Sequence, residues 1–136
     1  MHEVWNGTDG DVLFRKVRWN GRPRARGDLW VTADGFTWRR GKIMIQWRHV
    51  VGFDVVKVGR WDTAGGRSLS VRREDDPRML DLDVVGAIED AVATGHRGMN
   101  THLVVETRRD VHVFTSGERY KRVCAAMAPA ISYFGV

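Results

Sequence analysis

From Val12 to Val58 apolar residues recur at every second position in short runs, and each run stops at glycine, proline or a charged cluster. That is the period of strands half buried in a sheet. VLFRKVRW (12–19) reads as a first strand and NGRPRARG (20–27) as a loop, punctuated by Gly and Pro and lacking apolar residues. Leu29 to Thr32 is the next strand. Ala33-Asp34-Gly35 is a turn in which the glycine supplies the unusual backbone angle. Phe36 to Arg40 returns as the hairpin partner, with Phe36 and Trp38 on one face and Thr37 and Arg39 on the other. Ile43, Ile45 and Trp47 alternate with Lys42, Met44 and Gln46, and Val50 to Val58 makes a longer, more apolar strand. Arg60 to Arg67 reads as a loop and Ser68 to Arg73 as a strand with Leu69 and Val71 inward. Glu74 to Pro77 is a turn, and Leu80 and Leu82 mark a further strand.

The period then changes. Val84, Ile88, Ala91 and Val92 share one face of a helix over 84–94, which Gly95 stops. Thr101 to Thr107 and Val111 to Thr115 form a hairpin around Arg108-Arg109-Asp110. A closing helix is expected over 116–134, because Tyr120, Val123, Met127, Ile131 and Phe134 make an apolar stripe. Thr115 and Glu118 have capping-box spacing. Pro129 should bend this helix, since it cannot bond back to the carbonyl of Ala125. These elements predict a mainly β (α+β) single domain over 1–136. About seven strands are expected, capped by the C-terminal helix, with the short helix at 84–94 interrupting the strand series.

Composition narrows the class. At 136 residues, 43% hydrophobic and 29% charged, the chain suits one globular domain with one core. One cysteine excludes an internal disulfide framework, no Cys/His spacing suggests zinc, and Cys124 reads as a small buried hydrophobe. The opening MHEVWNGTDG lacks the basic-then-apolar pattern of a secretory leader. No apolar run approaches the roughly 18 residues of a membrane span. A cytoplasmic location, with peripheral membrane contact compatible, is the expectation. Net charge of +5 and a pI near 10.0 favour anionic partners without choosing among them. Lys16, Lys42, Lys57 and Lys121 are the only lysines, so arginine abundance is partly a general trait of the chain.

The stretches VLFR (12–15), GDLWVTADGFTW (27–38) and IQWRHVVGFDVV (45–56) resemble the opening of GRAM and bacterial pleckstrin-homology-like (PH-like) domains. Gln46-Trp47 stands where many members carry a Pro-aliphatic pair, and His49 where Asp is common. The resemblance covers about 11–58, with the hairpin at 101–115 and the closing helix matching in outline. It implies a PH-like, partly open antiparallel barrel or sandwich in which 74–100 is an insertion carrying the short helix, and a binding role; site chemistry must still be argued from residues.

Arg15, Lys16, Arg18, Arg22, Arg24 and Arg26 crowd the first hairpin, with Trp19 among them. The resemblance implies phosphate contacts here: Lys16 with Arg24-Ala25-Arg26 is similar to the basic pattern of phosphoinositide-binding PH domains. Arg forks suit phosphate oxygens. A solvated charged loop is the plainer reading. Gly21-Arg22-Pro23-Arg24 resembles part of an AT-hook, without the usual preceding basic residue, which keeps nucleic acid open. Alternation turns Trp47 inward and Trp30 outward, so Trp30, with Trp19 or Trp61, is the candidate exposed anchor for a protein interface. His2, His49, His96, His102 and His112 are scattered. His102 and His112 could face each other across the last hairpin, but no nucleophile, base and orienting group assemble.

The expectation is a non-enzymatic binding or adaptor module without cofactor or metal. It engages a protein partner through Lys16, Arg18, Trp19, Arg22, Arg24, Arg26, Trp30 and Trp61. An anionic membrane surface is the alternative, nucleic acid a further one, and a homo-oligomer is compatible.

Overall fold

The computed structural model describes residues 10–20, 26–57, 62–63 and 101–134. Its strands are β1 (Val12–Trp19), β2 (Arg26–Val31), β3 (Gly35–Trp38), β4 (Ile43–Gln46), β5 (Val50–Lys57), β6 (Asp62–Thr63), β7 (Thr101–Thr107) and β8 (Val111–Ser116). A 3-10 turn, Trp47–His49, joins β4 to β5, and two short helices, α1 (Tyr120–Ala126) and α2 (Ala128–Phe134), follow β8. The strands form one antiparallel sheet in the order β4-β3-β2-β1-β8-β7-β5-β6.

Aromatic packing shows that this sheet is not flat. Phe36 on β3 stacks on Phe114 of β8 with ring centroids 6.1 Å apart. Three strand steps separate β3 from β8, roughly 14 Å across a flat sheet at about 4.8 Å per step. The sheet therefore folds over, and Phe36 meets Trp47 at 4.6 Å and Phe53 at 5.9 Å in the space between its halves. Val123 and Ala130 of the helices and Met127 between them join this core, and Phe134 stacks on Trp47 at 6.2 Å. The result is a mainly β, sandwich-like or barrel-like fold closed by helices.

The alternation read from the sequence sets the faces. Phe36, Trp38, Ile45 and Trp47 are buried, while Met44 and Trp30 are exposed. The two core tryptophans also satisfy their indole N–H groups: Trp38 donates to the carbonyl of Val17 at 3.0 Å and Trp47 to that of Thr32 at 2.8 Å. The β2–β3 hairpin closes through a reciprocal pair, Thr32 and Gly35 each donating to the other's carbonyl.

Several boundaries differ from expectation. β2 begins at Arg26, inside the expected loop, because Gly27 and Arg26 pair with Val17 and Arg18 past a bulge in β1. Asp62 and Thr63, also expected in a loop, pair with Lys57 and Val56. The capping box does not form. Thr115 and Ser116 stay in β8, where the Thr115 hydroxyl shares a 2.8 Å hydrogen bond with His102 Nδ1. The helix starts at Tyr120, and Arg119 caps it without a side-chain bond. The expected single bent helix is two helices broken at Met127, whose φ of −104° and ψ of 14° leave the helical range. Pro129 then sits in the first turn of α2, where no N–H is needed. Cys124 is only partly buried; burial pushes its thiol pKa up.

His102 and His112 do not face each other. Thr107 N–H donates to the Asp110 carbonyl at 2.9 Å, leaving Arg108-Arg109 as a two-residue turn. His102 then pairs with Thr115 and His112 with Val105, which puts the two imidazoles on opposite faces. The expected strands and turn over 68–83, the helix over 84–94 and the insertion over 74–100 lie outside the described residues.

Candidate partner-binding surface

The half-sheet β1–β4 has one face on the core and one face outward. Register places Leu13 opposite Trp30, Trp30 opposite Thr37 and Thr37 opposite Met44. These four residues form a row across four strands on the outer face. Trp30 is 43% exposed and Met44 69% exposed. Of the four described tryptophans, Trp30 alone has no indole hydrogen bond, whereas Trp19, Trp38 and Trp47 each donate one. Folding accounts for three of these side chains and leaves Trp30 presented to solvent.

Along β2 the same face carries Asp28 and Arg26, both exposed. Arg26 lies roughly 13 Å from Trp30 at about 3.3 Å per residue. There it joins a basic cleft lined by Arg15, Lys16, Arg119 and Arg122, with Glu118 the single acid. The bulge in β1 creates one wall. The register shift falls between Phe14 and Val17, Lys16 takes a φ of 54°, and Arg15 and Lys16 are both thrown outward. The β8–α1 turn supplies the other wall. Glu118 pairs with Arg122 at 3.0 Å, but Arg122 is 78% exposed; such a pair is worth about 0.5 kcal/mol and leaves the cleft strongly cationic. Arg18, directly opposite Arg26, is buried. Burial lowers its pKa, and the charge of Arg26 lowers it further.

The candidate residues therefore divide. Lys16 and Arg26 line the cleft, and Trp30 stands on the adjoining face. Arg18 shares the outward face of Arg26 but is fully buried there, so its expected role as a surface contact is corrected. Trp19 is corrected too: it packs against the core 5.9 Å from Trp38 and donates to His112 Nδ1 at 3.0 Å. Arg22, Arg24 and Trp61 lie outside the described residues. Sequence reasoning missed Arg119 and Arg122, which sit about a hundred positions from Lys16 in a stretch that reads only as helix. Pairing of β1 with β8 is what brings them in, and no local pattern announces that pairing.

A second polar set lies elsewhere. His102 and Glu106 on β7, Asp54 on β5 and Thr115 on β8 are buried on the sheet face opposite Leu103, Val105 and Phe114. Among the described residues no three His, Cys, Asp or Glu side chains come close enough to hold a metal ion, and no helix is long and apolar enough to cross a membrane. No protein-family model, no curated protein and no solved structure matches the chain.

Proposed function

We propose that this chain is a non-enzymatic binding module of the PH-like, GRAM-like kind that its opening strands resemble. It engages a protein partner through the outer face of β1–β4, with Trp30 as the apolar anchor and Arg15, Lys16 and Arg26 as its charged flank. The observation that carries this reading is the exposed Trp30 in the row from Leu13 to Met44, free of the hydrogen bond and packing that explain the other described tryptophans. Exposed Trp beside Arg is the composition of interface hot spots.

Trp30→Ala should weaken the complex with a partner recovered from the native host by about tenfold or more. It should change unfolding stability by less than about 1 kcal/mol, as for a surface position. Calorimetric binding and urea unfolding read the two effects. A large stability loss with unchanged affinity would return Trp30 to a structural role.

The cationic cleft favours a second reading, peripheral contact with anionic lipid, each basic residue near such a surface contributing about 1 kcal/mol. Co-sedimentation with vesicles of phosphatidylcholine, with and without phosphatidylserine, tests it. A Lys16→Glu/Arg26→Glu variant should lose any serine-lipid-dependent recovery, and equal recovery on both vesicles would discard this reading.

A further inference from the structure

We propose that the free edge of β4 takes an acidic, extended peptide segment as an added strand. This rests on reading the chain as a protein-binding module and names the chemistry of the partner. Among the described residues β4 pairs only with β3 and ends the sheet. Every second backbone N–H and C=O pair of Ile43 to Gln46 therefore points away from the sheet, the template that an incoming extended chain uses.

The edge opens onto a trough whose walls come from three separate parts of the chain. Lys42 starts β4, Arg48 lies in the 3-10 turn, and Arg108 and Arg109 form the tip of the β7–β8 hairpin. All four are exposed, and none makes an ion pair among the described residues. Asp110 is the single carboxylate lining the trough. A lone lysine at an edge strand is an ordinary guard against aggregation. Convergence of three arginines from two other elements onto the same edge is not required for that purpose. Ile43 and Val51 supply a half-buried apolar floor. A strand laid along β4 would turn alternate side chains toward that floor and the others outward. Its acidic positions would meet the cations at the rim, and its apolar positions would meet Ile43 and Val51. Met44, on the same strand, ends the row that contains Trp30, so the added strand would continue the proposed partner surface.

Charge complementarity and edge geometry together select the occupant. A membrane or a nucleic acid offers negative charge without a backbone ladder, whereas an acidic extended segment offers both. The probe is a capped peptide of about seven residues alternating valine and glutamate, which at roughly 3.3 Å per residue overspans β4. Isotope-labelled protein should show amide shifts centred on residues 42–46 on addition of this peptide, and none with the valine–lysine counterpart. Arg108→Glu/Arg109→Glu, confined to an exposed turn, should weaken binding by about tenfold or more and leave the melting temperature unchanged. Lys42→Glu provides a second variant should the first fail to fold. Shifts centred on Arg15, Lys16 and Arg26, undiminished binding by the charge-reversed variants, or displacement of the peptide by phosphatidylserine vesicles would each overturn the proposal. If no peptide shifts appear while Trp30→Ala still weakens the native complex, the edge site alone fails and the protein-binding reading stands.

Discussion

Gly35→Ala is expected to lower the unfolding free energy by about 3 kcal/mol or more, at the upper end of what single substitutions produce. Gly35 has a φ of 144°, in a region that L side chains rarely adopt. A Cβ built there lies 1.9 Å from the carbonyl oxygen of Ile45 and 2.9 Å from Cα of Gln46. Both neighbours are backbone of β4, so relief means moving the strand rather than rotating a side chain. Backbone strain and displacement then add, at about 1–3 kcal/mol for the strained angle alone. Gly41→Ala separates the two terms. Its φ is 92°, but the nearest atom to a Cβ is Met44 Sδ at 3.6 Å, ordinary contact. It should cost about 1 kcal/mol, the backbone part only. Urea unfolding of both variants checks this, and equal losses would mean that β4 yields freely to the new methyl group.

The same glycine shows what was legible in the sequence. Ala33-Asp34-Gly35 between two alternating runs can be read as a turn because the chemistry is local: one residue must tolerate a positive φ. The inward Phe36, Trp38, Ile45 and Trp47 follow from a period of two, which one buried face enforces. β5 carries buried residues on both faces, and its near-continuous apolar run says so in advance; β7 is buried on both faces too, but with Thr101, His102 and Glu106 among its residues its sequence does not announce it. Reading failed where a distant partner decides. Thr115 has capping-box spacing to Glu118, yet β7 claims it for the sheet and for His102. The bulge that throws out Lys16 depends on how β1 meets β2, and the arginines opposite it arrive through β8. Half of the cleft was thus visible as a basic run, and half existed only after strand order was known. Trp19 misled because alternation alone cannot register a bulge: past the register shift, the inward parity of β1 changes from even to odd positions.

Acid should destabilise this fold through His102, by about 3 kcal/mol between pH 6.5 and 4. The imidazole is 1% exposed. Its Nδ1 shares a 2.8 Å hydrogen bond with the Thr115 hydroxyl, and its Nε2 is buried with no hydrogen-bond partner among the described residues. Burial holds its pKa down at about 4, against an ordinary 6.5. Above pH 6.5 the ring is neutral in both the folded and the unfolded chain, and nothing is lost. As pH falls, the unfolded chain takes up a proton that the folded chain refuses, so stability drops until pH 4, where the folded ring also protonates and the loss levels off. His112, half-buried, has its pKa lowered by burial and partly restored by the charge of Asp110, and adds a smaller slope of the same sign. Two further buried side chains, Asp54 and Glu106, share the sheet face of His102, so the test is a difference between proteins. His102→Gln keeps a partner for Thr115 and removes the titration. Urea unfolding at pH 7, 5.5 and 4 should show the wild-type losing about 3 kcal/mol more than this variant across the series. Parallel losses in the two proteins would mean that His102 charges freely inside the fold and that its buried Nε2 is reached by water or by a compensating acid.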